Sequence, residues 1–230
     1  MRIAFLATRF LDPDNIKSWS GLPFFMKRAL ERAGVETVAL RADDADQTSR
    51  WARFLYWRWM RGKRYLRYCD AGLLKNYARQ YEADLATIAV DAVFSASTWL
   101  TAHLKTKLPT VFWTDACFAG MQDFYAAFSE LAPPSIRAGH VIEQRALDRC
   151  ARAIYCSDWA AGTARRFYRV DSAKISVVPF GANLPEPPNL EEVRAAVSMR
   201  SAARCNLLFV GVDWARKGAD IAVQTVDSLT

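Results

Sequence analysis

One feature narrows what this chain can fold into: short apolar runs of strand length alternate with stretches in which apolar residues recur at helical spacing. Ile3 to Ala7 is the first run, and it gives way to the polar Thr8-Arg9. Leu22, Phe25, Met26, Ala29, Leu30 and Ala33 then share one helical face, with Ser20 placed as N-cap, Pro23 in the first turn and Gly34 as the stop. Thr37 to Leu40 reads as the second strand, and Gly72 to Val90 as a helix with a buried stripe of Leu73, Leu74, Tyr77, Ala78, Tyr81, Leu85 and Ile88. Strands follow at Ala92 to Ser95 and Thr110 to Trp113, then a helix from Ala138 to Arg152 and a strand from Ala153 to Cys156. A helix capped by Ser157-Asp158 and a strand from Ile175 to Val178 complete the series. This grammar predicts an α/β domain with a doubly wound, Rossmann-like parallel sheet, helices on both faces and ligands at the carboxyl ends of the strands.

The pattern changes after residue 183. Pro185, Pro187 and Pro188 punctuate the chain, and a short charged helix follows near Leu190 to Val197. A new strand is expected at Asn206 to Gly211, then a helix opened by Lys217-Gly218. The expected organisation is therefore an N-terminal domain at 1–183, an interdomain linker at 184–204 and the start of a second domain at 205–230. One strand and one helix cannot bury a core by themselves, so that second domain is expected to be incomplete.

Composition excludes more than it identifies. No apolar run approaches the roughly 20 residues of a membrane-spanning helix, and the apolar N-terminus is too brief for a signal peptide. The five cysteines show no CxxC spacing and only His103 and His140 could join them, so no metal site is expected. Cys150 and Cys156 read as small buried hydrophobes, and this usage fits a cytoplasmic protein. The net charge of +7 points to anionic partners. Its densest part is Arg50 to Tyr68, where Arg50 to Arg67 holds seven basic residues and no acidic one, interleaved with Trp51, Phe54, Tyr56, Trp57, Trp59 and Tyr65. Peripheral membrane contact competes here with a helix whose aromatics pack under the domain and whose arginines are solvated. A nucleic-acid partner is not expected.

Two segments carry chemistry. The first runs from Ser157-Asp158-Trp159 to Val177-Val178-Pro179-Phe180-Gly181-Ala182-Asn183, and the second from Phe209-Val210-Gly211 to Arg216-Lys217-Gly218. In the second, a strand ending in glycine leads to a helix start beside two cations. The amide groups and dipole of such a helix end favour an anion, which Arg216 can grip bidentately and Lys217 can meet as a mobile charge. The plainer reading is a helix start with two solvated basic residues. No GxGxxG or GxxxxGK[ST] follows the first strand, which argues against an unrelated nucleotide-binding Rossmann protein.

In their order and spacing these two segments resemble the family 4 retaining glycosyltransferases of GT-B fold. The resemblance implies transfer of a sugar, of hexosyl type, from a nucleotide diphosphate sugar to an acceptor hydroxyl with retention, without a metal or other cofactor. It implies a carbohydrate or lipid-linked acceptor. Lys217 matches the family's diphosphate lysine, Gly211 ends the strand before it, and Gly21 sits where a glycine lets the backbone approach the donor. Where the family often has an arginine after the strand glycine, this chain has Val212, so Arg216 must substitute. Asp115 follows the Thr110 to Trp113 strand where many members have a histidine facing the acceptor; it is a candidate for acceptor binding or proton acceptance. Its other reading is an N-cap for a helix near Phe118 to Phe124. Asp158 and Trp159 read as cap and core, and His103 and His140 as packing or surface residues.

The family's Glu-x7-Glu pattern, which contacts donor sugar and ribose, has no counterpart here. The expectation is therefore a glycosyltransferase fragment with little or no activity by itself. The alternative is a non-catalytic acceptor- or partner-binding module, such as half of a split transferase.

Overall fold

The computed structural model describes residues 1–43, 62–201, 203–211 and 213–229. The chain divides into two compact units, Met1–Asn183 and Leu184–Thr230.

The first unit is built on six parallel strands: β1 (Arg2–Thr8), β2 (Glu36–Ala42), β3 (Ala92–Ser95), β4 (Thr110–Thr114), β5 (Arg152–Tyr155) and β6 (Ile175–Val177). Their order in the sheet is β2-β1-β3-β4-β5-β6, so the chain reverses direction of growth between β1 and β3. The helices are α1 (Leu22–Arg32), α2 (Ala71–Leu85), α3 (Phe118–Met121), α4 (Pro133–Arg149) and α5 (Asp158–Phe167). This is the expected doubly wound α/β fold.

The period of two along each strand divides the core. Ile3, Phe5 and Phe94 point to one side and pack with Met26 of α1. Ala4, Leu6, Val93 and Phe112 point to the other, against Leu73 and Tyr81 of α2, Ile142 and Ala146 of α4 and Ala160 of α5. Because both faces are covered, β1 is apolar at consecutive positions and Ala4 to Ala7 are wholly buried.

Several boundaries differ from expectation for local reasons. Helix α1 starts at Leu22 with Gly21 as N-cap, so Ser20 does not cap it; Ser20 lies in a 3-10 turn, Ser18–Gly21. Helix α2 is capped by Asp70, which accepts from the Leu73 amide at 2.7 Å, and it stops at Leu85, well before Val90. Thr87 turns back there and donates to the Asp84 carbonyl through both its amide and its hydroxyl. Helix α4 begins at Pro133, where the proline ring presets the first turn, and it ends at Arg149 because β5 already starts at Arg152.

The second unit contains α6 (Leu190–Ser198) and α7 (Ala219–Asp227). The strand expected at Asn206 to Gly211 is not formed: among the described residues this segment has no ladder partner, and Leu208 and Val210 are largely exposed. A lone strand leaves its amides and carbonyls unpaired, so apolar sequence alone does not make one. Ala219 is the one buried residue among the described residues of this unit.

Candidate functional site

The reversal between β1 and β3 places a crevice at the carboxyl ends of the strands, where an open parallel sheet binds ligands. All six strands end at this edge, and the connections described below are the loop after β1, the turns after β3 and β4, and the segment after β6.

The loop after β1 is held by Ser18. Its hydroxyl donates to the Phe10 carbonyl at 2.7 Å and accepts from the Asp12 amide at 2.9 Å. The chain then passes through three consecutive left-handed residues, Trp19 (φ 41°), Ser20 (φ 56°) and Gly21 (φ 83°). Only glycine adopts this region without penalty, so strain is concentrated just ahead of α1. A Cβ at Gly21 would lie 3.1 Å from the Ile16 carbonyl oxygen and 3.2 Å from the Phe25 ring. Gly21 therefore is the glycine of a helix start and also a point of close approach.

Sequence reasoning did not single out Asn183 as a site residue. Its side-chain amide donates to the Ser20 carbonyl at 3.0 Å. The end of the segment after β6 thus fastens the strained loop after β1, across a sequence separation of 163 residues. Trp113 Nε1 donates to the Val178 carbonyl at 2.9 Å, and its ring packs on Phe180 at 5.2 Å, which holds the same segment against β4. The available signal was that Asn183 closes the Ser157 to Asn183 segment, one of the two that carry the family resemblance.

Asp115 lies just beyond β4, and it is not an N-cap. The N-cap of α3 is Cys117, and the Phe118 amide donates instead to Glu143 Oε2 of α4 at 3.3 Å. Burial pushes the Asp115 carboxyl upward from its usual range; its own amide, the Ala116 amide and the Thr114 hydroxyl oppose that shift. A partly desolvated carboxylate of this kind is a stronger base than an exposed one.

Glu143 was also missed. It is almost fully buried at 2 % exposure, and desolvation raises its pKa to about 7. The Thr98 hydroxyl donates to Oε2 at 2.8 Å, so one carboxyl oxygen joins the turn after β3 to the start of α3. The place of Glu143 on the stripe of Gly139, Ile142, Ala146 and Leu147 was the sequence sign that it points inward.

Other residues fall outside this edge chemistry. Ser157 caps α5 by accepting from the Ala160 amide, and Asp158 occupies the first turn. Trp159 is not core: it is half exposed and stacks on Phe124 at 5.7 Å, above Gly120. His140 bonds Tyr168 and Gln122, a packing role. Cys150 is buried and Cys156 only partly so. Among the described residues, no group of three or more His, Cys, Asp or Glu could hold a metal. Among them, too, no helix is long and apolar enough to cross a membrane. Of the stretch Arg50 to Tyr68, residues 50–61 lie outside the described residues. The remainder is stitched to the domain: Arg64 pairs with Glu130 and Ala132 through the backbone, and the Leu66 amide donates to the Ser135 hydroxyl.

In the second unit, Gly211 lies against Lys217: a Cβ there would meet Lys217 Cγ at 2.9 Å. Arg216 is engaged by Asp213, whose carboxylate accepts from its amide at 3.0 Å and from Nε at 3.4 Å. Helix α7 opens one residue after Gly218, which is left-handed at φ 73°. Val212 lies outside the described residues.

A family model described as Glycosyltransferase Family 4 matches residues 25–185. No curated protein matches the sequence.

Proposed function

The chain belongs to Glycosyltransferase Family 4, and from that premise we propose that it serves the transfer of a hexosyl unit from a nucleotide diphosphate sugar to an acceptor hydroxyl, with retention of configuration. The observation that carries this reading is the family match over residues 25–185, which takes in Asp115 and Asn183 and begins after Gly21. The acceptor is a carbohydrate or a lipid-linked carbohydrate. Asp115 takes the acceptor side, as a proton acceptor or a hydrogen-bond partner for the incoming hydroxyl.

In this reading the leaving diphosphate is the group whose charge needs stabilising. Lys217 supplies a mobile charge for it. Arg216 does so once Asp213 is displaced, an exchange of one anion for another that suits bidentate guanidinium chemistry. Gly21 and Gly211 stand beside the donor in this reading, and at each the space a side chain would take is filled by the chain's own atoms, Ile16 and Phe25 at the first and Lys217 at the second. The donor pocket is completed by protein outside the two units: Leu208, Val210, Ile221 and Leu229 are all more than 60 % exposed, an apolar surface that calls for cover. Without that cover the 230 residues have little or no transferase activity. Electrostatic attachment to an anionic membrane would bring a lipid-linked acceptor within reach, and the basic run from Arg50 supports it.

The test is a glycan and glycolipid profile of cells lacking the coding region. The loss of one sugar residue from a defined product, restored by the wild-type gene and not by Asp115→Asn, is the expected result. An unchanged profile contradicts the transfer reading and leaves the second one, a non-catalytic module that binds an acceptor or pairs with another chain as half of a split transferase. That second reading is favoured by the incomplete burial of residues 184–229.

A further inference from the structure

The amino end of the sheet differs in chemistry from the ligand edge. At the start of β4 a cleft of about 500 Å³ is lined by Thr101, Lys105, Thr106, Lys107, Thr110 and Arg149 among others. Thr110 is the first residue of β4, and Arg149 closes α4 just before β5 begins. Glycosyl transfer at the carboxyl ends of the strands makes no use of this end.

Charge here is one-sided. The wall of the cleft holds two ammonium groups, one guanidinium and, among the described residues, no carboxylate. Lys75 of α2 and Arg145 of α4 extend the cluster. Burial first, and then the charges of Arg145, Lys75 and Arg149, lower the pKa of His103, which lies between Thr101 and Lys105 in the chain. Among the described residues, none of Lys75, Lys105, Lys107, Arg145 and Arg149 forms an ion pair. Two neighbouring acids are tied to neutral N–H groups instead. Glu82 accepts from the Lys105 backbone amide at 2.7 Å, and Asp148 accepts from Gln144 Nε2 at 2.8 Å. Like charges gathered without counter-charge repel one another, and a bound anion would offset that repulsion.

Donors stand ready for such an anion. Arg149 Nη1 donates to the Leu104 carbonyl at 3.0 Å, which fixes the guanidinium at the cleft wall and leaves its other N–H groups to a ligand. Thr106 Oγ1 accepts from the Leu108 amide at 3.1 Å, so its own proton is left to donate. His103 Nε2 is buried and has no partner among the described residues. Arg149 taken singly is explained by its place on the last turn of a helix, where the dipole favours a cation. Lys105 and Lys107 have no such local reason: both are exposed on the loop that leads into β4. Several cations with guanidinium and hydroxyl donors, and no carboxylate to compete, match the oxygens of a multiply charged phosphate.

We propose that this cleft binds a phosphate-bearing anion, held by Lys105, Lys107 and Arg149 at the end of the sheet opposite the ligand edge. The site stands apart from glycosyl transfer, and either can fail without the other.

The test is a titration of the whole chain with pyrophosphate, followed by NMR of the His103 ring, one of two histidines in the sequence. Pyrophosphate should shift the His103 resonances saturably and raise the pKa of the ring, because the bound anion offsets the cations around it. Potassium chloride at matched ionic strength should not. The double variant Lys105→Gln/Lys107→Gln, on an exposed loop, should weaken binding roughly tenfold, the scale of a lost charge-assisted hydrogen bond. Arg149→Lys should weaken it less than Arg149→Gln. Lys17→Gln, which removes an exposed lysine from the loop after β1, should leave it unchanged. Phosphatidylcholine vesicles with and without phosphatidic acid tell a lipid headgroup from a free anion. Pyrophosphate binding that depends on Lys105 and Lys107 assigns the site to a soluble phosphate compound. Attachment to phosphatidic acid vesicles alone, lost in the same double variant, assigns it to a headgroup, and dependence of both supports the shared phosphate chemistry. A His103 response matched by potassium chloride, binding indifferent to Lys105→Gln/Lys107→Gln, or no binding of either probe overturns the proposal.

Discussion

Two stretches of this chain carry the same sequence grammar and meet different ends. Arg2–Thr8 followed by α1 is an apolar run, a loop with a left-handed glycine and an amphipathic helix. Asn206 to Gly211 followed by α7 repeats that order, down to the left-handed Gly218 ahead of the helix. The first run is an interior strand of the sheet, paired on both sides by β2 and β3 and buried on both faces. The second has no ladder and stays exposed. Local pattern nominates a strand; partners on both sides make one. The same contrast governs function. The carboxyl edge of the first unit has a fixed geometry because six strands set it, whereas Arg216 and Lys217 stand on a unit with almost nothing buried among its described residues.

The largest break in this contrast comes from the core. Phe112, wholly buried in β4, should cost about 3–5 kcal/mol on replacement by alanine, measured by urea unfolding. Leu208→Ala, at a site 87 % exposed, should move the same transition by less than about 0.5 kcal/mol. Equal losses would mean that the two units share one core.

A second effect, on the order of 3 kcal/mol, concerns pH. The carboxyl of Glu143 is raised from 4.5 to about 7 by burial. An acid whose folded pKa is raised keeps its proton while the unfolded chain loses it. Its contribution to stability is therefore present below pH 4.5 and is lost as pH rises toward 7. Burial lowers the pKa of His103 and His140, so they act in the opposite sense, gaining stability as pH rises through their ordinary range. Subtracting the stability of Glu143→Gln from that of the wild type at each pH isolates the glutamate. The difference should fall between pH 4.5 and 7 and then level off. A flat difference would show that Glu143 is not held neutral.

The smallest effect sharpens the comparison of the two glycines. Gly21→Ala forces a left-handed alanine against the Ile16 carbonyl and should cost about 1–2 kcal/mol in global unfolding. Gly218→Ala meets nothing nearer than Ile221 Cδ1 at 3.7 Å. Its backbone strain is similar, yet the main transition should be unmoved, because that turn is not part of the first unit's cooperative core.

The first unit's strands were legible because a parallel sheet covered on both faces writes continuous apolar runs, as in Ile3 to Ala7. Helix starts were less so: Ser20 resembles a cap in sequence, but the left-handed turn puts Gly21 there. The strand at Asn206 to Gly211 was misread because pairing is non-local and leaves no mark on the strand itself. For the site, the position of Asp115 at a strand end was readable, while its role beside α3 was not, since Glu143 reaches the Phe118 amide from a helix 25 residues away. The contact of Asn183 with Ser20 joins segments 163 residues apart, so only the fold reveals it.

The first unit buries a core of its own, whereas Ala219 is the one buried residue among the described residues of the second. Hydrogen exchange of the whole chain tests this contrast most directly. Amides of β1, β3, β4 and β5 should exchange only through global opening, while those of 205–211 and of α7 exchange with little protection. Comparable protection of 205–211 and β1 would contradict the account.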